Sequence, residues 1–151
     1  MASAAPSSIP ALQIRRTLRH SPERVFDAWT QAAALTRWFA PSDDFKTIVR
    51  ALDARLGGHY TVEMQKPDGT IHVVTGRYTT FDRPTKLSFT WQWETNPDEG
   101  DTQVTIDLTP TADGCELVLT HDRFVAAADR DSHEQGWAGC LDRLAAKLES
   151  L

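Results

Sequence analysis

The segment Asp131–Leu151, DSHEQGWAGCLDRLAAKLESL, decides the fold. Trp137, Cys140, Leu141, Leu144, Leu148 and Leu151 recur at steps of three and four, so a helix gathers them into one apolar stripe. Asp142, Arg143, Lys147 and Glu149 fall on its other face. Glycine costs a helix up to about 1 kcal/mol relative to alanine, so Gly136 and Gly139 predict that another element packs closely there. A helix from about Ala126 to Leu151 runs on the order of 35 Å at ~1.5 Å per residue, enough to lie across a sheet.

The residues upstream supply that sheet. Leu12, Ile14 and Leu18 alternate with polar residues as in a half-buried strand. Ser21-Pro22-Glu23 is a helix start, with a hydroxyl cap, a proline at the first helical position and a carboxylate in the first turn. A second short helix follows over Ala32–Trp38, and Pro41 forbids its continuation. Period-two patterning then takes over. Strands are expected at Phe45–Ala54, around Tyr60, Val62 and Met64, at Thr70–Phe81 with a bulge or bend at Gly76, and at Leu87–Trp93. Two more follow, one through Val104, Ile106 and Leu108 ended by Pro110, one from Cys115 to His121. Gly57-Gly58, Pro67-Asp68-Gly69 and Ala112-Asp113-Gly114 are the intervening turns, and Asn96–Gly100 is a polar loop. Short turns between consecutive strands imply an antiparallel meander with one apolar face to cover. The class is therefore α+β: a curved antiparallel sheet of about seven strands, two short helices after the first strand, and a long C-terminal helix across the sheet.

The 151 residues suit one domain, expected over 10–151, with Met1–Ile9 a mobile tail. A net charge of -5 gives no basic footprint for nucleic acid, and the longest apolar runs are too short to span a membrane. Cys115 and Cys140 both sit in apolar-periodic segments and read as buried free thiols. With no secretory signal at the start, they favour a reducing cytoplasm.

Several residues carry a resemblance. Arg37-Trp38-Phe39 with Pro41, Gly57-Gly58, Trp91 and Trp93, Thr120-His121 with Phe124, and His133 through Gly136-Trp137 to Leu141 and Leu144 resemble the helix-grip START/SRPBCC superfamily. Within it the chain resembles the homologues of the heat-shock-protein-90 ATPase activator, whose bacterial members are single domains often labelled polyketide-cyclase-like. The resemblance implies a cavity between sheet and long helix, suited to an apolar or amphipathic small molecule. The activator itself resembles a family member with an extra N-terminal domain; none precedes Leu12, so a chaperone partner is not the leading expectation. A homodimer is compatible with the sequence and not specified by it.

Candidate chemistry is sparse. The histidines at 20, 59, 72, 121 and 133 lack zinc-site spacing, so no metal is expected, and no cofactor motif is present. Cys140 sits mid-stripe, where burial makes a thiol inert. Strand parity puts His121 on the leucine face, at the end of its strand, where an imidazole can orient a carbonyl or move a proton. His133 and Glu134 near the helix start are the candidate partners for acid–base work. The expected ligand wall is Trp38, Phe39, Phe89, Trp91, Trp93, His121, Trp137 and Leu141, where a flat molecule can stack. The leading expectation is a binding protein rather than an enzyme. Two alternatives are kept: a cyclase- or hydrolase-like enzyme using His121 and Glu134, and a co-chaperone-like interaction module.

Overall fold

A computed structural model describes residues 9–151. Residues 1–8 of the expected tail lie outside the described residues, and Ile9 packs, partly buried, against the core. The order is β1 (Leu12–Leu18), α1 (Pro22–Thr30), α2 (Ala32–Trp38), β2 (Lys46–Leu52), β3 (His59–Gln65), β4 (Ile71–Asp82), β5 (Lys86–Trp93), β6 (Thr102–Thr111), β7 (Gly114–Asp122) and α3 (Ala127–Lys147). A single 3-10 turn, Pro97–Glu99, lies in the expected polar loop, and another, Leu148–Ser150, ends the chain. Among the described residues no helix is long and apolar enough to cross a membrane.

All seven strands form one antiparallel sheet, β1-β7-β6-β5-β4-β3-β2. β2 to β7 run as a meander, and β1 closes against β7 with Leu12 opposite His121 and Ile14 opposite Leu119. The apolar parity survives across the sheet: Val104, Ile106 and Leu108 of β6 pair with His121, Leu119 and Leu117 of β7. Pro110 does not end β6, which continues to Thr111. The Leu108 amide already points to the carbonyl of Thr85 past the end of β5, so the missing N–H of Pro110, at the same parity, faces no strand.

The bulge expected at Gly76 falls two residues later, where the β4–β5 register shifts between Tyr78 and Thr80; at Gly76 itself the two strands come unusually close. A Cβ there would lie 2.0 Å from the carbonyl oxygen of Thr90, so only glycine lets β4 come this close to β5. The strand-to-strand ladder is interrupted at this point. The Thr90 hydroxyl accepts the Arg77 amide at 3.0 Å, while its carbonyl accepts the Tyr60 hydroxyl at 2.5 Å. Side chains thus satisfy backbone groups that a flat sheet would pair with each other.

α3 covers the concave face. Leu141, Leu144 and Leu148 are at most 1% exposed and share one core with Leu117 and Leu119 of β7 and Phe26 of α1. Three arginines tie its end to the early helices. Arg24 of α1 donates to the carbonyls of Leu148 and Glu149, both at 2.8 Å, and Arg37 of α2 donates to Ser150. In return Arg143 of α3 donates to the carbonyls of Arg37 and Trp38 at the end of α2, at 2.9 and 3.2 Å. Cations thus occupy the carbonyl-rich C-termini of both helices, where the helix dipole favours them.

Candidate functional site

The N-terminal half of α3 is not packed down in this way. Between it and the β3–β5 end of the sheet lies a cavity of about 560 Å³, a volume that takes a small organic molecule. Trp91 and Trp93 of β5 and Met64 of β3 face it from the sheet, with Ile71 and His72 at the start of β4. His133, Gly136, Trp137 and Cys140 roof it, because steps of three and four put them on one face of α3. Phe39, Pro41 and Phe45, on the segment after α2, close the back. Polar residues of the β5–β6 loop, Thr95, Asn96 and Glu99, stand at the rim with Thr70 and Ser132, and among the described residues no lysine or arginine lines the space.

The two helix glycines have different consequences. A Cβ on Gly139 would lie 2.1 Å from the carbonyl oxygen of Pro41, the close approach expected of it. A Cβ on Gly136 would meet nothing within 4 Å, so the same expectation fails there. Gly136 faces the open cavity, and its missing side chain keeps the roof clear.

Trp91 is the hub of the aromatic wall. Its ring centroid lies 4.9 Å from Trp137, 5.4 Å from Trp93 and 6.0 Å from Phe39. Of the eight expected wall residues, Phe39, Trp91, Trp93 and Trp137 line the cavity. Trp38, Phe89, His121 and Leu141 do not. The Trp38 indole donates to the Ala28 carbonyl at 2.9 Å inside the helical layer, and Leu141 is one step further round α3, in the solid core. Phe89 borders a separate void of about 20 Å³ with Trp29 and Tyr60.

His121 is fully buried behind Trp91 and Trp137. Its Nδ1 accepts the Trp137 indole N–H at 3.0 Å, and since an indole nitrogen only donates, the imidazole proton must sit on Nε2. Nε2 then donates to Thr102 Oγ1 at 2.7 Å, and that hydroxyl donates to the Trp91 carbonyl at 3.2 Å. Burial, with a smaller contribution from nearby His133, pushes the His121 pKa down to about 2. His133, whose ring centroid is 5.1 Å away, is equally committed. Its Nδ1 donates to the Asp129 carbonyl at 2.6 Å, and its Nε2 accepts the Trp93 indole at 2.9 Å. Structure therefore brings the two histidines together but leaves neither with a free proton or lone pair on nitrogen. Glu134 is exposed and does not line the cavity, so the His121–Glu134 acid–base pair of the alternative enzyme reading is not assembled.

Cys140 lines the cavity with its thiol pushed up to about 12 by burial, so it is protonated and unreactive at neutral pH. Cys115 is also buried and free. Among the described residues no group of three or more His, Cys, Asp or Glu is placed to hold a metal ion. The sequence reading missed Phe45, Met64, His72 and Gly136 as wall residues. For Met64 and Gly136 the signal was present, as strand parity with Tyr60 and Val62 and as helical spacing with His133 and Cys140.

Solved structures with this architecture are numerous. A protein from Chromobacterium violaceum is 30% identical over 93% of this chain and 98% of its own, with a TM-score of 0.86. The AHSA1 protein from Silicibacter pomeroyi is 25% identical with the same coverage and a TM-score of 0.82. The AHSA1-like protein from Aeromonas hydrophila is 26% identical over 93% of each chain, with a TM-score of 0.76. No curated protein matches the sequence at a significant level. The family model described as activator of Hsp90 ATPase homolog 1-like protein matches residues 19–149, and the chain belongs to that family.

Proposed function

We propose that this protein binds an apolar or amphipathic small molecule in the cavity beneath α3 and does not transform it. Family membership supports a small-molecule or protein-interaction role in general. The observation that favours the small molecule is an unfilled, aromatic-walled space of about 560 Å³ whose roof carries a glycine where a side chain would fill it. Binding without turnover is favoured because every nitrogen of His121 and His133 is committed within the protein, and the thiol at Cys140 is protonated. Among the described residues the large apolar side chains left exposed are Leu56, Ile71 and Val125, few for a docking patch, which gives a protein-docking role less support. The two buried free thiols support a reducing, cytoplasmic setting.

The test is a titration of naphthalene derivatives followed by tryptophan quenching and native mass spectrometry, in the wild type and in Gly136→Leu. A leucine at 136 extends into the cavity and is expected to weaken binding by about tenfold or more, the equivalent of ~1.4 kcal/mol. No binding by any derivative, or unchanged affinity in Gly136→Leu, would overturn the proposal.

A further inference from the structure

Three histidines stand beside the aromatic wall, and they divide by what their ring nitrogens do. His121 and His133 each spend both nitrogens on protein partners. His72 spends neither on any of the described residues, and it is not sealed away: the buried side-chain nitrogens left without a partner there belong to Trp29 and Trp91. Its ring is partly exposed and lines the cavity, so both nitrogens can be reached. Strand geometry fixes where this happens. His72 lies at the start of β4, opposite Met64 of β3, and shares the parity of Val74 and Tyr78, both buried in the core. The row of inward-facing side chains on β4 therefore runs out from the core and ends at His72, where apolar wall meets polar rim. There its ring stands edge to face against Trp93, with centroids 6.1 Å apart and planes at 73°. The rim groups beside it are partly taken, since Thr95 Oγ1 accepts the Val73 amide at 3.2 Å and Asn96 Nδ2 donates to Glu99 at 2.6 Å.

Resting on the reading of this cavity as a ligand site, we propose that His72 is its specificity-determining residue, reading the head group of an amphipathic ligand. The apolar body of that ligand lies against Met64, Trp93 and Trp137, and its head is neutral and of the hydroxyl kind. A neutral imidazole offers one donor and one acceptor, so it serves a hydroxyl in either sense. A carboxylate head is disfavoured, because Glu99 lines the same rim and among the described residues no lysine or arginine lines the cavity to offset it.

Calorimetry at pH 8 with 2-naphthol, 2-methylnaphthalene and 2-naphthoate separates these features. The hydroxyl and methyl probes have nearly the same shape, so contacts of the body cancel in the ratio of their affinities. That ratio should fall about fivefold in His72→Phe, which keeps an aromatic ring and loses both nitrogens, and should recover in His72→Gln, whose amide donates and accepts. The naphthoate should bind the wild type about tenfold more weakly than the naphthol. If His72→Phe does not fold, the ring-nitrogen resonances of wild-type His72 still report, moving well further with the naphthol than with the methyl probe. A ratio unchanged in His72→Phe, or ring nitrogens moved equally by the two probes, overturns the role of His72 while the cavity remains a binding site. A naphthoate that binds as tightly as the naphthol overturns the neutral head. Failure of all three probes to bind brings down the cavity reading and this proposal with it.

Discussion

Two tryptophan–histidine bonds join α3 to the sheet, and they run in opposite directions. In the inner one the helix donates, from Trp137 to His121 on β7; in the outer one the sheet donates, from Trp93 on β5 to His133. Both imidazoles are neutral acceptors with the second nitrogen also bonded. They differ in setting. His121 is 0% exposed and continues through Thr102 to the backbone of β5, whereas His133 is partly exposed and its ring lines the cavity. A polar bond sealed in low dielectric is expensive to leave half made, and one at a wet rim can exchange with solvent at little cost. The inner bond therefore reads as structure and the outer one as the boundary of a binding space.

Removing the inner acceptor should have the largest effect. His121→Ala leaves the Trp137 N–H and the Thr102 hydroxyl without their partner and opens a void. A loss of about 3–5 kcal/mol is expected in urea unfolding, and a loss below ~1 kcal/mol would make the two bonds equivalent.

Acid should act on the same bond next. The ordinary histidine value is 6.5 and that of folded His121 is held down to about 2, so below pH 6.5 the unfolded chain takes up a proton that the folded chain refuses. This contribution is complete above pH 6.5 and is lost as pH falls from there toward 2, at up to about 1.4 kcal/mol per pH unit. His121→Gln should flatten that part of a stability–pH profile, and an unchanged slope in the variant would assign the acid sensitivity elsewhere.

The two glycines of α3, Gly136 between the bonds and Gly139 just beyond the inner one, sharpen the contrast between closed and open ends. Gly139→Ala forces a Cβ onto the Pro41 carbonyl and should cost about 1–3 kcal/mol. Gly136→Ala enters free space, and its better helix propensity should stabilise thermal unfolding by up to about 1 kcal/mol. Similar effects at both positions would contradict the difference in packing.

Breaking the outer bond should matter least for stability. His133→Ala is expected to change unfolding free energy by less than about 1 kcal/mol, because Trp93 is partly exposed and water can take its N–H. The readout specific to this bond is kinetic: stopped-flow dissociation of a naphthalene probe should quicken several-fold. A stability loss as large as that of His121→Ala would remove the distinction.

Patterning made the fold legible where a single parity or a single stripe decides burial. Leu87, Phe89 and Trp91, or Leu141, Leu144 and Leu148, can point only one way once their element forms. The helix-grip arrangement followed, as did the inertness of Cys140. The site was half legible. Parity places His121 on the inner face, but it does not say how deep that face lies or that Trp137 and Thr102 consume both ring nitrogens. Trp38, Phe89 and Leu141 share the composition of a pocket wall and differ from Trp91 only in what stands in front of them. The pairing of Arg24, Arg37 and Arg143 with carbonyls more than a hundred residues away in sequence leaves no local periodicity to read.

The contact between Gly139 and Pro41 makes a fulcrum of that point on α3. Distal to it, the arginine ties and the leucine core hold the rod down; proximal to it the Trp137–His121 bond is the last firm tie, and the turns before Trp137 rest on His133 beside the cavity. Any widening of the chamber must then be a swing of the proximal arm, with the distal arm fixed. Amide hydrogen exchange should record this as a step within one continuous helix, fast through 127–136 and slow through 140–148, with the fast arm slowing once a guest fills the space beneath it.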